Sequence, residues 1–86
     1  MEHSLSKENV LKLLRAYNVI LMAEQILFDF AGAVSVSEKY DEVHLIADVI
    51  LSMSKFSADS DEESEHFFEI LDNIELSAEE KYNALM

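Results

Sequence analysis

A chain of 86 residues that is half hydrophobic, with 18 acidic side chains against 6 basic ones and no cysteine, has the makings of one small folded domain. That much apolar material excludes intrinsic disorder despite a net charge of −12, and the absence of cysteine excludes a disulfide framework, cysteine zinc sites and thiol nucleophiles. A pI near 4.3 argues against direct nucleic-acid binding and against adhesion to anionic membranes, both of which need basic patches.

Proline is absent and the only glycine is Gly32, so little in the chain breaks a helix or builds a hairpin turn. The opening residues, MEHSLSKENV, lack a basic region followed by an apolar run, which points to a chain without a signal peptide and to a cytoplasmic location.

The first predicted helix runs from about residue 7 to 31. Ser6 is its N-cap, Glu8 suits the helix dipole, and Gly32 stands where a left-handed C′ residue ends it. At 1.5 Å per residue this is a rod of about 37 Å. Its second half lies in the stretch Val19–Val34, where only Glu24, Gln25 and Asp29 are charged or amide-bearing. That stretch is too short, and too interrupted by acids, to span a bilayer. On a helical wheel Leu13, Tyr17, Ile20, Leu27, Phe28 and Ala31 share one direction, which predicts the core-facing stripe. Glu24 falls within that stripe and is predicted as a buried polar residue in need of a partner, with Tyr17, Lys39, Tyr40 and Tyr82 as candidates.

Three serines followed three residues later by glutamate mark three further helix starts: Ser35 with Glu38, Ser60 with Glu63, and Ser77 with Glu80. They predict helices over about 37–55, 61–75 and 78–85. Val43, Ile46, Val49, Ile50 and Met53 form the apolar face of the first of these. Phe67, Ile70, Leu71 and Ile74 form that of the second, with Phe68 at its border; Ala78, Tyr82 and Leu85 serve the last. Nothing alternates at period two as a strand would.

The expected architecture is all-α, one small bundle of about four helices, two long and two short. The first helix outruns the others, so Val19, Met22, Ile26 and Phe30, lying off the main stripe, are expected to be covered by a second copy in a homodimer or by a partner's helix, the alternative being that the last two helices wrap the first completely.

Charge is divided unevenly. Residues 1–56 hold five basic and eight acidic side chains, a net of −3, whereas residues 57–86 hold ten acids and Lys81, a net of −9. On the third helix Glu62, Glu65, Glu69 and Asp72 step by three, four and three residues, placing four carboxylates on the face opposite Phe67 and Leu71. This row, with Phe68 beside it, is the candidate contact for a protein partner with a basic surface, such as a nucleic-acid-binding protein. The bland alternative is a solvated face that keeps the chain soluble.

Carboxylate–histidine pairs at i, i+3 (Asp41 with His44, Glu63 with His66) have the spacing of helical di-iron sites, and Glu24 could contribute from the first helix. Glu62-x-x-Glu65 and Glu69-x-x-Asp72 have the spacing of magnesium motifs in all-helical nucleotide pyrophosphatases, but both lie on one outward face. The serines serve as caps and no histidine is placed to activate one. The reading is therefore non-enzymatic, with no cofactor, no metal and no catalytic residue: a small acidic regulator or inhibitor, of the type common among immunity proteins and phage-encoded inhibitors. A metal-dependent enzyme using Glu24, Glu63 and His66, or a purely structural dimerisation module, stands as the alternative.

Overall fold

The computed structural model describes residues 6–31 and 41–86. Four helices make up a small all-α bundle: α1 (Lys7–Ala31), α2 (Asp41–Met53), α3 (Asp61–Leu71) and α4 (Ala78–Leu85). No strand occurs among the described residues. The helices close a ring in chain order, α1 on α2, α2 on α3, α3 on α4, and α4 back on α1. The last and shortest helix makes the most extensive packing of the four pairs, against α1. The long axis, 41 Å, is close to the length of α1 itself.

Caps set the helix starts. Ser6 accepts the Asn9 amide at 3.2 Å. At α4 the box is complete, with Ser77 Oγ accepting from the Glu80 amide and Glu80 Oε1 accepting from the Ser77 amide. At α3 only one arm forms: Ser60 Oγ accepts from the Glu63 amide, while the Glu63 carboxylate turns to the Ser57 amide at 2.8 Å and ties down the preceding loop. The Ser35–Glu38 box, Gly32, Lys39, Tyr40 and the predicted start of α2 at residue 37 lie outside the described residues.

Two helices end before their predicted stops, and each has a physical cause. Beyond Met53 the Ser54 hydroxyl donates back to the Leu51 carbonyl, and the Lys55 amide is taken by the Leu85 carbonyl at 2.9 Å, which fastens the end of α2 to the end of α4. Beyond Leu71 the Glu75 amide, which would continue the helix by bonding the Leu71 carbonyl, bonds Asn73 Oδ1 at 2.9 Å in an Asx turn. Ile74, predicted to face the core on a longer α3, is therefore left 38% exposed in the turn.

The core consists of Val10, Leu14 and Tyr17 from α1, Ala47, Ile50 and Leu51 from α2, Phe67 and Leu71 from α3, and Ala78 and Leu85 from α4. Phe67 is fully buried, and Phe56 from the connecting loop meets it edge-on at 6.3 Å. On α2 the deepest residues are Ala47, Ile50 and Leu51, with Val43, Ile46 and Met53 packed around them.

On α1 the packed direction differs from the predicted one. Val10, Leu14 and Tyr17 are buried with Leu21 packed beside them, a stripe rotated about 60° from the expected direction at 100° per residue. Leu27 and Phe28, expected in the core, are 44% and 67% exposed. Partner geometry decided this. The first half of α1 is sided by α2 and α4, and the stripe those helices cover is the one that packs; past Leu21 the short helices leave the rod uncovered.

Candidate functional site

Three features lie outside ordinary core packing: a polar lock at the α1–α3–α4 junction, an acidic surface over the C-terminal half, and an uncovered apolar stripe on α1.

The lock is built around Lys81, the only fully buried charged side chain among the described residues. Ala78, Lys81 and Leu85 follow one another at i, i+3 and i+7, so the lysine stands on the inward face of α4 between two core residues. Its ammonium donates to the Leu71 carbonyl and to Asn18 Oδ1, both at 2.5 Å, and lies 5.9 Å from the centre of the Tyr17 ring. Leu71 is the last residue of α3, so the cation sits at the negative end of that helix on a carbonyl the shortened helix leaves open. Asn18 in turn donates through Nδ2 to the Leu76 carbonyl at 3.3 Å, holding the turn between α3 and α4 against α1. The Tyr17 hydroxyl donates to Asp72 Oδ1 at 2.5 Å. Burial pushes the Lys81 ammonium below the usual lysine range, and the nearby Asp72 charge partly offsets it. Burial, and then the bond to Asp72, pushes the Tyr17 phenol well above the ordinary tyrosine value.

Glu24, predicted as the buried polar residue, is only half-buried; Lys81 takes that position in the fold. Asp72, the last of the four carboxylates in the expected partner-facing row, is an exposed residue that is also the C-cap of α3 and the acceptor for Tyr17. Helical periodicity alone does not single out Lys81, but the sequence carries a signal for it: it is the one lysine or arginine after position 57 and falls on the apolar stripe of α4.

The acidic surface follows from the same burial. All ten carboxylates of residues 57–86 belong to exposed residues, while the one lysine of that segment is withdrawn. Glu62, Glu65 and Glu69 stand outward on α3, with Phe68 36% exposed beside them and its ring edge-on to Phe67 at 5.0 Å. Relief from basic side chains is local. Arg15 of α1 meets Glu79 at 3.0 Å, and the Glu79 carboxyl is held below its usual range, first by a backbone N–H at the start of α4 and then by that guanidinium. His66 lies 3.9 Å from Glu69 and stacks on Phe56 at 5.5 Å.

The uncovered stripe comprises Val19, Met22 and Ile26, exposed by 67%, 52% and 49%, which with Asn18 and Ala23 line an open groove of about 350 Å³. The side chain of Phe30, predicted to join them, lies outside the described ones. Leu45 on α2 is a further exposed apolar residue, at 62%.

No group of three histidine or acidic side chains among the described residues lies close enough to hold a metal ion. Of the residues named for a metal reading, Glu63 is bonded to the Ser57 amide and His66 is stacked on Phe56. No described helix is long and apolar enough to cross a membrane. No protein-family model, curated protein or solved structure matches this chain.

Proposed function

We propose that this chain is a non-enzymatic, cytoplasmic binding protein that regulates or inhibits a protein partner with a basic surface, such as a nucleic-acid-binding protein. It meets that partner through the outward face of α3, with Glu62, Glu65 and Glu69 as the charged contacts and Phe68 as the apolar anchor. The observation that carries the reading is the removal of Lys81 from the surface. A segment with ten exposed carboxylates has its only cation fully buried, which leaves a field of one sign over the C-terminal half. Such a field steers a cationic partner and disfavours anionic ones. The chain acts as a homodimer through the uncovered stripe of α1, a reading supported by Val19, Met22 and Ile26 at about half exposure or more.

Capture from a native lysate tests the reading. The partner retained at low salt is expected to be lost at about 0.5 M salt, where screening acts within a few ångström, and to be missing from a Glu62→Gln, Glu65→Gln, Glu69→Gln bait. Retention in both cases would mean that the acidic face only solvates the protein.

A further inference from the structure

We infer that the two copies of this chain meet antiparallel along α1, with Lys12 of each copy opposite Asp29 of the other. The inference rests on the dimer reading above and adds the arrangement. Lys12, Arg15, Val19, Met22, Ile26 and Asp29 follow one another by three, four, three, four and three residues, the spacing of a single seam between paired helices. This seam lies about 145° around α1 from the buried Val10–Leu14–Tyr17 stripe at 100° per residue. It lies clear of the buried stripe, and at its N-terminal end it stays within reach of α4 through the Arg15–Glu79 pair.

The order of charge along the seam selects the direction. Glu8 and then the two bases Lys12 and Arg15 stand toward its N-terminal end, three apolar residues at its centre, and the acid Asp29 at its C-terminal end. Parallel copies would set Lys12 on Lys12 and Asp29 on Asp29. Antiparallel copies, related by a two-fold axis between Val19 and Met22, set Val19 on the second copy's Met22 and Lys12 on its Asp29. In the same register Arg15 comes opposite Ile26. Its aliphatic stem can cover that side chain while the guanidinium remains on Glu79 of its own copy. The Lys12–Glu8 contact is exposed and long, at 3.9 Å, so Lys12 can exchange it for a new acid without loss. An isologous contact of this kind closes on itself and stops at two copies.

Because the chain has no cysteine, introduced thiols report only on the pair in which they are placed. Lys12→Cys and Asp29→Cys chains, mixed and oxidised, are expected to give the mixed disulfide, with little product from either alone. Self-linked products from each variant separately would establish a parallel pair and overturn the inference while leaving the dimer standing. Sedimentation of the native chain reports on the other half. A strict monomer would remove the dimer reading, and this arrangement with it. Charge reversal gives an independent readout. Asp29→Lys is expected to weaken dimerisation about tenfold, and Lys12→Asp in the same chain to restore it; an unrestored double variant would also overturn the pairing.

Discussion

The two halves of α1 are similarly rich in apolar side chains and meet opposite surroundings. In residues 7–21 Val10, Leu14 and Tyr17 are buried, with Leu11, Leu13 and Leu21 packed around them. From Met22 onward, Met22, Ile26, Leu27 and Phe28 are all between 44% and 67% exposed. The cause is length. A 25-residue helix is about 37 Å long, whereas the eight residues of α4 and the eleven of α3 extend only about 12 and 16 Å. Each described helix after α1 is much shorter than it, and the described buried residues of α1 all lie in its first half. Two stretches that a hydropathy pattern treats alike are thus a core and a surface.

Deleting side chains from each half breaks or confirms that contrast most directly. Leu14→Ala opens a cavity in the core and is expected to cost about 2–5 kcal/mol, whereas Ile26→Ala at low protein concentration should stay within about 0.5 kcal/mol. Urea midpoints at matched slopes measure both. Were Ile26→Ala as costly as Leu14→Ala at every protein concentration, the second half of α1 would be core within one chain and the contrast would fail.

The boundary between the halves is held by the Lys81 lock, so the next effect in size belongs there. Lys81→Met keeps the apolar stem but leaves the Leu71 carbonyl and Asn18 Oδ1 without their donor. The expected loss is about 1–3 kcal/mol, which for a domain of this size lowers the melting temperature by several degrees. An unchanged or higher melting temperature would show that desolvating the ammonium cancels its bonds.

This lock also marks where the sequence stopped being informative. The all-α class was legible because serine caps, helical periodicity and missing breakers agree. Ser6, Ser60 and Ser77 placed three helix starts from local bonds alone. Rotation was not legible, because α1 offers apolar residues on several sides and the covered side depends on where α2 and α4 lie. The end of α3 was not legible either. It depends on Asn73 taking the Glu75 amide and on Lys81, ten residues further on, taking the Leu71 carbonyl. The spacing of Asp72 fits the acidic row, and only the fold brings Tyr17 to it.

A pH series sharpens the role of the lock. Tyr17→Phe removes the bond to Asp72 and is expected to cost about 1 kcal/mol near neutral pH. The folded chain holds the Tyr17 proton more tightly than the unfolded one, so this contribution is whole below pH 10, the ordinary tyrosine value, and is lost as pH rises beyond it. Lys81 has the opposite sign. The folded chain holds its proton less tightly, so stability rises with pH from its lowered value up to the ordinary 10.5. Urea midpoints between about pH 8 and pH 11 should therefore rise and then fall in the native chain. Relative to it, Lys81→Met should lack the rise, and Tyr17→Phe should lack part of the fall. Parallel curves for all three chains would show that neither group is coupled to folding.

The smallest effect on stability is expected where the largest effect on binding is proposed. Glu62, Glu65 and Glu69 belong to exposed residues at helical spacing, and like charges so placed repel by about 0.2–0.5 kcal/mol per pair. Replacing all three with glutamine should leave the melting temperature unchanged or raise it slightly, while abolishing capture of a basic partner at low salt. The pairing of those two results is what distinguishes a recognition surface from a structural one. A triple variant that melts markedly lower would mean that these carboxylates hold the fold together, and that the one-sided charge of the C-terminal half is a consequence of packing.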